Sequence, residues 1–225
     1  MRLRLHPLLF PLLVPGLALA LAGCKTPSAQ TEKSWIFACP EPGSRVTWDD
    51  GRSLTFSGAD PADAGLCLAQ AGTAAVRLTW GMVEATNSEG SGHRPGMASL
   101  FPARTGANAS YTATVSYPGS GIQYPFETRW RVVGFEPLQV PAGTFDTVVL
   151  ERMVNGTGAN ATQAFTVRYW LEGVSGILLQ RKVELGRGGS SLLRNLQATS
   201  LSLPPPPPRA PPPAGAPSGP PPTGS

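Results

Sequence analysis

The sequence predicts an all-β fold, mainly antiparallel: a curved meander sheet, half-barrel or barrel-like, with at most short helical turns. Three observations predict it. A turn-forming Asp49-Asp50-Gly51 joins "SRVTW" to "RSLTF", the pattern of a hairpin. From Tyr111 onward, strand-like runs recur at regular spacing between Gly-rich turns. Within "AFTVRYWL", Phe165, Val167, Tyr169 and Leu171 share one face, and Ala164, Thr166, Arg168 and Trp170 share the other.

Taken in order, the chain opens on a leader rather than a strand. Met1-Arg2-Leu3-Arg4 is basic, Leu8 to Ala22 is apolar, and Ala22 and Gly23 are small, which is the make-up of a secretory signal over residues 1–23. A membrane-spanning helix fits less well, because Pro7, Pro11 and Pro15 interrupt the run and a span needs about 20 apolar residues. Residues 24–34 read as a polar linker. One β-rich domain is expected over residues 35–203, long enough to bury about 70% of its surface.

Inside that domain the first hairpin is followed by "SGADPADAG", which breaks the strand pattern. "LCLAQAG" reads as a short helical turn, and "AVRLTW" resumes the strand signal. Residues 84–110, rich in Gly, Ser, Asn and Pro, read as a long, partly structured loop. Then come "YTATVSY" and "IQYPFETRWRVVGFE" around Pro118-Gly119-Ser120-Gly121. "FDTVVLERMV" and "TQAFTVRYWL" flank "NGTGAN", and "GILLQRKVEL" and "SSLLRNLQATSLSL" flank "GRGG". Between the second and third of these runs, Pro141 pre-sets φ and Gly143 permits a conformation closed to other residues, so the pair marks a tight structural turn. Phe145 is expected in the core, and so is Trp170, with a pocket-lining place as its alternative. From Pro204 to Ser225 the chain is almost wholly Pro, Gly, Ala and Ser, and is expected to be an extended, disordered tail.

Leu21-Ala22-Gly23-Cys24 resembles the lipobox of bacterial lipoproteins, matched at all four positions. The resemblance implies that the Cys24 thiol carries a diacylglyceryl group after cleavage before the cysteine. The freed amine is then acylated, palmitate being the expected chain. A thioether anchor needs a thiol at that point, and two or more chains hold a membrane where one does so only marginally. Lys25, in place of an aspartate, points to the outer rather than the inner membrane, with the domain in the periplasm.

A second resemblance lies further on. Gly134, Glu136, Val140-Pro141-Ala142-Gly143, Phe145, Thr147, Tyr169-Trp170, Gly176, Lys182 and Glu184 follow a pattern similar to that of TapB-like and related envelope domains of unknown function. The match departs after Trp170, where Glu172-Gly173-Val174-Ser175-Gly176 replaces the family's Ala-Pro-Gly-Val-Gly. The resemblance implies a curved antiparallel sheet with a concave apolar face, akin to the half-barrel of Lol-pathway lipoprotein carriers, and no established catalytic residue. Trp130, Phe165 and Tyr169 are the candidate lining of that face.

The remaining residues bound the chemistry. The 225-residue chain has a formal charge of +4; losing Arg2 and Arg4 with the leader leaves 16 Lys+Arg against 14 Asp+Glu, or +2. That balance, without any basic run, gives no nucleic-acid footprint. Cys39 and Cys67 form an even pair in an exported chain, most simply a disulfide, with two buried free thiols as the alternative. His93, the one histidine left after cleavage, cannot build a His-rich metal site, and no nucleophile motif accompanies it. Asp60 and Asp63 lack the ligand set of a calcium loop and read as turn residues, as do Asn108, Asn155 and Asn160 in their sequons. Glu127, Glu136, Glu151 and Glu184 lie on strands, with nothing to pair them as acid and base.

No cofactor or metal is expected. The reading that follows is a non-catalytic, lipid-anchored envelope protein binding an apolar ligand or an envelope protein on its curved sheet. The first alternative is a structural or assembly accessory with a filled core, acting through its surface and Pro-rich tail. A hydrolase, which would need a cleft joining His93 to a carboxylate and a hydroxyl, is the third.

Overall fold

The computed structural model describes residues 33–84, 95–116, 123–157, 164–186 and 193–205. The leader, Cys24, His93, Asn160 and the tail beyond residue 205 lie outside the described residues.

Strands make up most of what is described. In chain order they are β1 (Ser34–Trp35), β2 (Arg45–Trp48), β3 (Ser53–Asp60), β4 (Asp63–Ala71), β5 (Ala74–Thr79), β6 (Val83–Glu84) and β7 (Ala103–Arg104). There follow β8 (Asn108–Ser116), β9 (Gln123–Val140), β10 (Gly143–Gly156), β11 (Ala164–Glu172), β12 (Leu178–Leu185) and β13 (Leu196–Ser202). A single helical turn occupies residues 95–98. The expected all-β class is therefore the class observed.

Eleven strands form one antiparallel sheet in the order β6-β5-β4-β3-β2-β13-β12-β11-β10-β9-β8, and β1 pairs with β7 separately. Two meanders, one from each half of the domain, are joined where β13 lies against β2, with Leu201 opposite Val46. The order starts at β6 and ends at β8, so the sheet is not closed into a barrel.

Curvature comes from extra residues inside the ladders. Val149 opposes Gly134 while Leu150 opposes Val132, which leaves Val133 as an insertion in β9. Leu179 is the extra residue in β12, Thr199 in β13 and Ser57 in β3. Each such bulge bends its strand and increases the local twist. The result is that both halves of the sheet face one core: Val46, Phe56 and Cys67 from the first meander, and Trp130, Leu150 and Tyr169 from the second.

Two local expectations are corrected. "LCLAQAG" is not a helical turn but the body of β4, and "SGADPADAG" does not interrupt the sheet. β3 runs to Asp60, which pairs with Asp63 across a tight turn. Leu66 and Cys67 are adjacent and both buried, so this strand is covered on both faces and lacks the alternation that reveals a strand. The Pro141 turn is as expected, a two-residue link between Val140 and Gly143, with Gly143 at φ +138°.

Candidate functional site

The concave face is where a ligand was expected, and alternation along β9 and β11 does bring its candidate residues together. Trp130 and Tyr169 are each 1% exposed and stack with ring centroids 5.3 Å apart; Phe165 packs, partly buried, against the same core. The Trp130 indole donates from Nε1 to the Tyr111 hydroxyl at 2.8 Å. The Arg152 guanidinium lies 5.7 Å from the centre of the Trp130 ring, a cation–π contact inside the fold.

The chain itself fills this face. Met97, Leu100 and Ala103 are fully buried in the shared core. Trp35, Phe37, Trp80 and Phe101 add a ring cluster with centroid separations of 4.5–5.9 Å. Residues 95–103 thus plug the sheet, although they lie in what the sequence presents as a loop. The available signal was small: Met97 and Leu100, three apart, are the apolar pair on one face of a helical turn.

The opposite face of the sheet is polar and ordered. Register places Arg131 on β9, Glu151 on β10 and Arg168 on β11 side by side. Arg131 donates to Glu151 Oε1 at 2.7 Å and Arg168 to Oε2 at 2.8 Å. The Arg168 hydrogen bond is the largest cause holding the Glu151 carboxyl below its ordinary range. Burial opposes it, and Arg131 adds to it. Arg168 is pushed further up by the same contact.

Trp170 belongs to this outer face and not to the core cluster. It is buried there, donating from Nε1 to Glu136 Oε1 at 2.7 Å, with Lys182 and Arg168 5.6 and 6.0 Å from its ring centre. Beside this row, a groove of about 570 Å³ is lined by Asn108, Ser110, Glu127, Arg129, Arg131 and Met153. The strand glutamates were visible in the sequence, but the arginines that pair with Glu151 were not, because cross-strand neighbours depend on register.

The remaining candidates take structural places. Cys39 and Cys67 form a disulfide that ties the segment before β2 to β4. Asp60 accepts from the Ala62 amide and Asp63 from the Gly65 amide, each at 2.9 Å, capping the β3–β4 turn. Asn108 and Asn155 sit on strands β8 and β10. Among the described residues no three His, Cys, Asp or Glu side chains gather as a metal set, and no helix is long and apolar enough to cross a membrane.

No protein-family model matches the chain, so the resemblance to TapB-like domains rests on its quoted residues alone. No curated protein matches it either. Among solved structures the chain is similar to the hypothetical lipoprotein YmcC from Escherichia coli (K12), at 13% identity and a TM-score of 0.43, over 74% of this chain and 86% of that one.

Proposed function

We propose that this chain is a non-catalytic protein of the bacterial cell envelope, lipid-anchored at Cys24, whose domain works by holding another protein against the outside of its curved sheet. One observation carries the choice between ligand and protein. The inner face is occupied by Met97, Leu100 and Ala103 of the chain itself, while the outer face presents the half-exposed Arg131 and Arg168 and an open groove beside them. An apolar ligand would have to displace three fully buried side chains; a protein partner would not. The lipobox Leu21-Ala22-Gly23-Cys24 supports the anchor, and Lys25 supports the outer membrane.

Two measurements test the reading. Cys24→Ser should abolish lipidation and release unprocessed or soluble protein; unchanged fractionation with membranes would refute the anchor. Native mass spectrometry of the purified full chain should show no adduct beyond the covalent lipid. A reproducible further adduct of lipid mass, lost on delipidation, would overturn the scaffold reading in favour of carriage.

A further inference from the structure

We infer that the β8 edge of the sheet pairs with a second copy of this chain, an inference that goes beyond the protein-binding reading, which concerns the outer face. β8 hydrogen-bonds to β9 on one side, and among the described residues no strand lies on its other side. Edges of this kind are ordinarily blunted by charge, proline, a bulge or shortness. β8 has none of these. Its nine residues, Asn-Ala-Ser-Tyr-Thr-Ala-Thr-Val-Ser, carry no side chain charged at neutral pH and no proline. Its register against β9 runs without a shift from Asn108 opposite Arg131 to Ser116 opposite Gln123.

The other end of the sheet is different. β6 is two residues long and carries Glu84. The described residues offer no nine-residue edge there to match β8, which disfavours head-to-tail growth from β8 to β6. Pairing of β8 with its own copy about a two-fold axis remains, and such an isologous contact stops at a dimer. The Pro-rich tail is a poor occupant, because more than half of its residues from Pro204 to Ser225 have no N–H to donate.

Two-fold related copies of β8 are antiparallel by symmetry. Full overlap puts Thr112 on the axis, Ser110 beside the partner's Thr114, and Asn108 beside the partner's Ser116. Alternation is kept: Ser110, Thr112 and Thr114 are exposed on the outer face, while Ala109 and Ala113 are buried on the inner one. The large Tyr111 then falls beside the small Ala113 of the partner. The nearest charges are on β9, and the two-fold sends the two Arg129–Arg131 pairs to opposite ends of the paired strands. The two Glu127 side chains flank the axis three strand spacings apart, about 14 Å, beyond the screening length of about 8 Å at physiological salt.

The test is crosslinking of the full-length, membrane-anchored chain with a short bis-maleimide. Thr112→Cys should give a dimer band, whereas Thr199→Cys, exposed on the interior strand β13, should not. Adding Ser110→Lys and Thr114→Lys to Thr112→Cys should cut the dimer by about tenfold or more, since like charges across an interface are strongly disfavoured. Circular dichroism of the lysine variant reports whether its fold is kept. No dimer at Thr112→Cys, equal dimer at Thr199→Cys, or a dimer indifferent to the lysines in a folded variant would each overturn the inference. A monomer that still retains another envelope protein would leave the protein-binding reading standing, so the two failures are separable.

Discussion

The indole of Trp130 lies on the phenol ring of Tyr169, 5.3 Å between centroids and 29° between planes, across the strand that separates them. That strand, β10, contributes Arg152 over the same indole, and β8 contributes the Tyr111 hydroxyl that accepts its N–H. Four neighbouring strands therefore meet at one side chain. Trp130→Ala should cost about 3–5 kcal/mol, the range for emptying a large aromatic site in a core. Tyr111→Phe removes the acceptor while keeping the ring, and should cost about 1–2 kcal/mol through the buried N–H left behind. Urea unfolding of both variants checks this. A neutral Tyr111→Phe would mean that the indole N–H finds water there.

Glu151 predicts a pH dependence. Its carboxyl is held below the ordinary value of 4.5, first by the hydrogen bond from Arg168, against burial, and then by Arg131. A carboxyl with a lowered folded-state pKa contributes stability above its unfolded value, and that stability is lost as pH falls through the folded value. Glu151→Gln should therefore be less stable at pH 7 by about 1–2 kcal/mol, discounted because both arginines are half exposed. Below the ordinary value of 4.5 the difference should shrink. Unfolding measured at neutral pH and near pH 3 decides it, and a gap constant across that range would remove Glu151 as the source.

How much of this was legible depends on the kind of residue. Val167, Tyr169 and Leu171 alternate with polar neighbours, so period two alone placed them on the core face, where they lie. The same period put Trp170 on the other face, but hydrophobicity favoured the core. Burial beneath Arg168 and Lys182 satisfies both signals, because long cationic stems cover apolar surface. Cys67 and Leu66 hid β4 because they are buried on opposite faces. Residues 97–103 hid their role because a plug is defined by what it fills, and the sheet it fills is assembled from both ends of the chain. Glu151 could be named, yet Arg131 and Arg168 are 20 and 17 residues away in sequence. Only the strand register brings them together.

The disulfide offers a third prediction. It closes a loop over a separation of 28 residues. Restricting the unfolded chain by that much is worth about 3–4 kcal/mol in the chain-entropy model. The Cys39→Ala, Cys67→Ala double variant should lose that stability, mostly through its unfolded state, with the sheet content of the native protein kept by circular dichroism. Cys67 is itself fully buried, so part of any larger loss would be cavity formation at β4. Reduction of the unaltered protein, which removes the bond and keeps both sulfurs, separates the two contributions.

Gly176 sits where two constraints coincide. Its φ is +70°, and a Cβ there would lie 2.8 Å from the Ala38 carbonyl oxygen, a backbone atom that cannot rotate away. The turn around it is already fixed. Gly176 donates its amide to the Glu172 carbonyl at 2.9 Å, and the Glu172 carboxylate accepts from the Val174 and Ser175 amides. Gly51 provides the comparison, since at φ +83° it shares the left-handed conformation but has nothing within 4 Å of the same position. Gly51→Ala should cost about 1 kcal/mol, the conformational part alone. Gly176→Ala should cost clearly more, about 2–4 kcal/mol, because the Trp35–Ala38 segment must also move off the turn. Equal losses in unfolding experiments on the two variants would show that this segment yields freely, and that Gly176 is held only by its backbone angle.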